Sequence, residues 1–144
     1  MLPQACLRAY RNNAVLTASP GQLVLMLYDG AIRSLDVAAD AFARPEEDLR
    51  RIEAINNSLL KAQAILLELR GTLDLEAGGE LAKSLDQLYD YYQRRLDQAN
   101  IRKDLQPVLE VKRLLKDLRD GWAEMLTKGS DASMADEARA MTSS

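Results

Sequence analysis

The chain has 144 residues, about one domain at roughly 100–200 residues each. Hydrophobic residues make up 47% and charged residues 28%, with only 7 glycines and 4 prolines, which favours a helical globular domain over a disordered chain. With no histidine, one cysteine and a net charge of −3, the chain lacks the residues for His-based triads, His-ligated zinc, the Glu-x-x-His di-iron motif and an internal disulfide, and it has no global attraction to nucleic acid.

Residues 1–10 lack the basic head and apolar core of a signal peptide. No run approaches the about 18 apolar residues of a membrane span. The lone Cys6 suits a reducing compartment. The expectation is a cytoplasmic protein without membrane insertion, cofactor or metal.

Residues 1–18 read as an irregular lead-in, because Asn12, Asn13, Val15 and Thr17 disfavour a stable helix. Ser19, Pro20 and Gln22 then form a helix start with a capping box. The first helix is expected from about Pro20 to Phe42, with Leu23, Met26 or Leu27, Gly30, Leu35, Ala38 and Phe42 inward.

Pro45, Glu46, Glu47 and Asp48 read as the next start, with acids at the positive end of the helix dipole. Ile52, Ile55, Leu59, Ala62, Leu66 and Leu69 follow at steps of 3, 4, 3, 4 and 3, a heptad-like seam. Gly71 is available for a left-handed cap. The third helix is expected from Glu80 to about Asn100, with Leu81, Leu85, Leu88, Tyr92 and Leu96 inward.

Asp104 caps the fourth helix, and Pro107 is tolerable in its first turn. Val108, Val111, Leu115, Leu118, Trp122 and Met125 repeat the 3, 4, 3, 4 and 3 spacing, and Lys128-Gly129 reads as the finish. The expectation is an all-α, antiparallel four-helix bundle over residues 19–128, behind a lead-in over 1–18 and before a mobile tail over 129–144.

Apolar residues exceed what one core face needs. Leu23 to Tyr28 cover every face of the first helix. Leu60, Ile65 and Leu67 fall outside the second seam, and Tyr89 and Tyr91 flank Tyr92. Two covers suit such surface: the lead-in, through Leu7, Tyr10, Val15 and Leu16, or a partner helix laid in a groove. The alternative is a wider core with apolar residues exposed singly.

Other features carry less. Gly30 reads as a close-packing position, or else a shallow spot in a groove. Asp36 and Asp40, like Asp86 and Asp90, share a helix face, yet nothing encloses them as an acid–base pair. Basic residues from Arg94 to Arg119 are interleaved with Asp97, Asp104, Glu110 and Asp117, the pattern of a solvated face rather than a nucleic-acid patch.

Several short motifs occur in order: Ala9-Tyr10, Asn13, Val15, Thr17-Ala18-Ser19-Pro20 and Met26-Leu27-Tyr28-Asp29-Gly30-Ala31-Ile32. Lys61-Ala62-Gln63, Gly78-Gly79-Glu80, Leu88-Tyr89-Asp90-Tyr91, Arg94-Arg95-Leu96, Ala99-Asn100, Glu110-Val111, Leu115 and Trp122 follow. The set resembles the FliS family, the flagellin-specific secretion chaperones, over about residues 9–125.

The resemblance implies a cytoplasmic helical bundle without enzymatic activity. It implies binding of the disordered C-terminal segment of flagellin, protection from premature polymerisation, and delivery to the flagellar type III export gate. It makes the lead-in a contributor to, or cover of, the binding surface, with Tyr10 matching the family tyrosine. The partner-binding candidates are Leu7, Tyr10, Asn13, Val15, Val24, Tyr28, Leu60, Ile65, Leu67 and Tyr91. The rival expectation is a helical adaptor, or a homodimer formed through the same surface.

Overall fold

The computed structural model describes residues 19–142, with side chains described as far as Lys128. Four helices follow one another: α1 (Pro20–Phe42), α2 (Arg51–Gly71), α3 (Gly79–Arg102) and α4 (Leu105–Thr142). Each packs on two neighbours, in the ring α1, α2, α3, α4 and back to α1. Contacts of Phe42 with Arg51, Arg70 with Asp86, Tyr91 with Glu110 and Gly21 with Trp122 make every neighbouring pair antiparallel. The expected four-helix arrangement is the one observed.

Helix α1 starts as its sequence dictates. Ser19 Oγ accepts from the Gln22 amide at 3.2 Å, and Gln22 Oε1 accepts from the Ser19 amide at 3.1 Å. Both orphan donors are thus satisfied. Helix α2 starts later than the acidic run suggested. The Asp48 amide bonds back to the Pro45 carbonyl, and Asp48 Oδ1 accepts from the Arg50 amide at 2.9 Å. The aspartate side chain bonds its own local backbone and holds a turn in place of a helical first turn.

Helix α3 runs past Asn100 to Arg102 and ends on Lys103 in the left-handed conformation, with φ of 51°. That geometry costs a side-chain-bearing residue roughly 1–2 kcal/mol. Bonds from Lys103 Nζ to the Asn100 carbonyl and to Asn56 on α2 offset it. Gly71 does not supply a left-handed cap, since Thr72 ends α2 in right-handed geometry. Among the described residues the left-handed glycine is Gly79, with φ of 57°, at the entry to α3.

Helix α4 passes through Gly129 and continues to Thr142, so Lys128-Gly129 is not its end and a helix occupies most of the expected tail. A glycine inside a helix costs only about 1 kcal/mol against alanine, and Ala132, Met134, Ala135, Glu137, Ala138 and Arg139 beyond it favour helix.

The core is a ladder of small and large residues. Ala31, Leu35, Ala38 and Ala41 of α1 meet Ile55, Leu59, Ala62, Leu66 and Leu69 of α2, all buried. Val108, Val111 and Leu115 complete it from α4. Ile52 and Met125, the outermost seam positions, are exposed, and the neighbouring Arg51 and Leu126 make the contacts with α1 at these ends, Arg51 with Phe42 and Leu126 beside Gly21. A Cβ at Gly30 would stand 3.4 Å from Ile65, an ordinary contact, which makes Gly30 a packing position between α1 and α2.

Helix α3 departs from its expected rotation. Ala82, Leu85, Tyr89, Tyr92, Leu96 and Ala99 face inward, while Leu81 and Leu88 face outward. Tyr28 of α1 reaches Tyr89 of α3 across the diagonal, where their hydroxyls share a hydrogen bond. That bond is made with this face of α3 turned inward, alongside the burial of Leu96 and Ala99.

Leu66 has no exposed surface. Leu66→Ala is expected to lower stability by about 2–5 kcal/mol, read as a lower urea midpoint with an unchanged far-ultraviolet spectrum before the transition.

Candidate functional site

The helices are fastened differently on their different sides, and this decides which surface is left over. The α1/α2 contact is apolar and close. Helix α3 is tied to α2 by polar bonds. Gln63 Nε2 donates to the Gln93 carbonyl at 3.3 Å, and Gln93 Nε2 donates to the Gln63 carbonyl at 2.8 Å. Gln63 also donates to Asp97 at 2.7 Å. Arg70 Nε donates to Asp86 at 2.6 Å, and its NH1 reaches Asp90 at 3.4 Å.

The other seams carry similar ties. Tyr91 donates its hydroxyl to Glu110 at 2.6 Å, and Arg95 pairs with the same carboxylate. The Tyr91 bond, then Arg95, holds the Glu110 carboxyl below the usual carboxylate range. Arg119 pairs with Asp29 at 2.8 Å, and Lys112 pairs with Asp36. Trp122 Nε1 donates to the Gly21 carbonyl at 2.8 Å, which pins the start of α1 to α4.

These ties engage the carboxylates that shared helix faces. Asp86 and Asp90 both bind Arg70, and Asp36 binds Lys112. Among the described residues no cluster of three or more Cys, Asp or Glu side chains is placed to hold a metal. Lys103, Arg95, Lys112 and Arg119 of the late basic cluster sit in structural contacts on three different helix seams.

The expected partner-binding residues divide into three sets. Leu7, Tyr10, Asn13 and Val15 lie outside the described residues. Leu60, 58% exposed, and Leu67, 64% exposed, share the outer face of α2, each one turn beyond a residue bonded to α3. Tyr91, 37% exposed, lies on the flank of α3 that faces α4.

The remaining three face the core. Val24 and Ile65 are half-buried against it. Tyr28 is 1% exposed and belongs to the core, which corrects its expected place on an open face. The reason is its hydroxyl: paired with Tyr89, it satisfies a group that sequence pattern could only count as surplus. Burial pushes both phenols up, so both stay protonated at neutral pH. Burial likewise pushes the Tyr92 phenol up to about 12.

The structure adds residues the periodicity passed over. Leu81, 65% exposed, and Leu88 join Tyr91 in a stripe along α3. The signal was present, since positions 82, 85, 89, 92, 96 and 99 repeat steps of 3, 4, 3, 4 and 3 once the alanines count as apolar. At one end of this stripe an open recess of about 190 Å³ lies between the α2–α3 loop, α1 and α4. Val24, Leu73, Leu85 and Trp122 help to line it. Gly78 makes its loop wall possible, because a Cβ there would stand 2.6 Å from the Asp74 carbonyl oxygen.

Comparison with known proteins finds a family model described as flagellar protein FliS that matches residues 3–129. The flagellar secretion chaperone FliS of Bacillus subtilis (strain 168) is 41% identical over 118 residues, covering 82% of this chain and 84% of that protein. The protein of the same name from Salmonella typhimurium is also 41% identical over 118 residues, with the same coverage of 82% and 84%. That of Vibrio cholerae is 33% identical over 123 residues, covering 83% and 87%. A crystal structure of a flagellar chaperone from bacteria superposes with a TM-score of 0.67 at 19% identity, covering 87% of this chain and 98% of that one, a likeness of fold.

The Arg70–Asp86 contact has a pH signature. The hydrogen bond from Arg70 holds the Asp86 carboxyl below the usual carboxylate range. A folded value below the unfolded one stabilises the fold above the unfolded value, near pH 3.8, and the gain fades as pH falls through the folded value. Asp86→Asn is therefore expected to lower the urea midpoint at neutral pH, and the difference from the unmodified chain should shrink on acidification below that point.

Proposed function

The chain belongs to the FliS family of flagellar proteins, and from that premise we propose that it holds the C-terminal segment of flagellin on the outer apolar faces of its bundle. It is an export chaperone and not an enzyme. The observation that carries the binding reading is the apolar residue set left outside a complete core. Leu60 and Leu67 on α2, and Leu81, Leu88 and Tyr91 on α3, stand on helices whose backbone bonds and inward faces are already satisfied. The four leucines have no internal task, and a partner segment gives them one; Tyr91, whose hydroxyl is bonded to Glu110, adds its exposed surface.

The chemistry suits the task. A flagellin end patterned for filament packing presents apolar faces that pair with copies of themselves. A chaperone must cover those faces and still release them. Ordering a disordered segment costs entropy, so a large contact remains only moderately tight. A lead-in over residues 1–18 that covers the same surface lowers apparent affinity further, because only the open fraction binds. In this reading Leu7, Tyr10, Asn13 and Val15 belong to that cover, Val24 and Ile65 support the surface from beneath, and the loaded chaperone delivers its cargo to the flagellar export gate from the cytoplasm. No helix among the described residues is long and apolar enough to cross a membrane.

A second reading draws on the same leucines: a homodimer, or an adaptor for another helical protein, built on the outer faces of α2 and α3. Light scattering separates the two, since a tight dimer indifferent to flagellin supports the adaptor.

The test is calorimetric titration with the C-terminal segment of the cognate flagellin. One-to-one binding with a strongly negative heat-capacity change is expected. Leu60→Glu with Leu67→Glu should weaken it at least about tenfold, since two exposed apolar contacts of roughly 1 kcal/mol or more each are lost. The melting temperature should stay close to that of the unmodified chain. Tyr10→Ala should change affinity and leave the bundle folded. A Tyr10→Ala variant with unaltered affinity removes the cover role.

A further inference from the structure

The recess beside the α2–α3 loop has a built interior. Its volume of about 190 Å³ is below the roughly 300–1,000 Å³ of small-molecule sites, and suits a single large side chain. Val24, Leu81, Leu85 and Trp122 give it apolar walls, with Leu81 standing exposed among them.

Tyr28 and Tyr89 also line it. Two hydroxyls carry two protons, and their mutual hydrogen bond uses one. The second proton has no acceptor among the described residues. Both phenols are 1% exposed and held protonated by burial, so the proton is retained. A buried donor left unpaired is costly, and the recess is the adjoining space from which an acceptor can come.

The recess is also continuous with the surface already described. Leu81, Leu88 and Tyr91 run along one flank of α3 away from its mouth. An occupant anchored here meets further apolar contacts along that flank.

We propose that this recess is the anchor pocket of the chaperone surface: one large apolar side chain of the bound flagellin segment enters it, and an oxygen of that segment accepts the spare proton of the Tyr28–Tyr89 pair. The inference rests on the flagellin-binding reading and names its deepest contact. The pocket sets which apolar residue of the segment docks first, and so fixes the register of everything that follows along α3.

The experiment titrates the full-length chain with the purified C-terminal segment of flagellin. Leu81→Trp alters an exposed position and fills the mouth. It should weaken binding at least about tenfold, with helix content and melting temperature unchanged. Tyr28→Phe with Tyr89→Phe keeps both rings and removes both protons. It should weaken binding about fivefold, the scale of one neutral hydrogen bond. Unaltered affinity in Leu81→Trp, while Leu60→Glu with Leu67→Glu still weakens binding, overturns the anchor and leaves the chaperone reading standing. Tighter binding in Leu81→Trp also overturns it, because the recess then holds a competing segment of the chain itself. No binding by the unmodified chain removes the chaperone reading, and the anchor with it.

Discussion

The hydroxyls of Tyr28 and Tyr89 meet across the diagonal of the bundle, where neither helix touches the other along a seam. An unpaired buried hydroxyl costs about 1–3 kcal/mol. Pairing the two removes most of that cost, but only at one rotation of α3 relative to α1. At that rotation Tyr92 stacks at a tilt against Tyr89, with ring centroids 6.5 Å apart, and Leu96 and Ala99 follow inward. The same rotation turns Leu81 and Leu88 outward. The outer face of the chaperone is thus coupled to a polar contact in its centre.

A second consequence concerns how exposed apolar surface is kept without loosening the fold. If α3 were held by apolar contacts alone, its leucines would serve the core and little would remain for a partner. Instead Gln63 and Gln93 clasp each other's backbone, Arg70 bridges two aspartates, and Lys103 ties the far end to Asn56. Single exposed ion pairs contribute little. Reciprocal side-chain bonds to backbone carbonyls between half-buried glutamines fix alignment as well as energy. The helix is positioned by its polar flank, so its apolar flank is free.

The arrangement also separates stability from function by location. The close α1/α2 contact, built largely from alanines and leucines, supplies many of the buried core residues. The surface attributed to the partner lies on the outside of α2 and α3, where Leu60 and Leu67 are more than half exposed. The recess is where the two meet, since Tyr28 and Tyr89 belong to the core and line the pocket as well.

Much of this was legible in the chain itself. Ser19 and Gln22 announced the start of α1 because capping is a local contact between residues three apart. The seams of α2 and α4 were readable from spacing, apart from their outermost members, because in each an unbroken run of apolar residues keeps the 3, 4 spacing. The absence of histidine removed whole chemistries, and the ordered motifs pointed to the family. The start of α2 was misread because Asp48 bonds its own turn, and the end of α4 because a single glycine is a weak stop. The phase of α3 was beyond local pattern, since it offers two apolar stripes and periodicity does not rank them. Partners far along the chain made the choice: Tyr28 lies 61 residues from Tyr89, and Gly21 lies 101 from Trp122. Local sequence determines which residues share a helix face. Only the packed structure decides which face turns inward, because that depends on where distant polar groups find their partners.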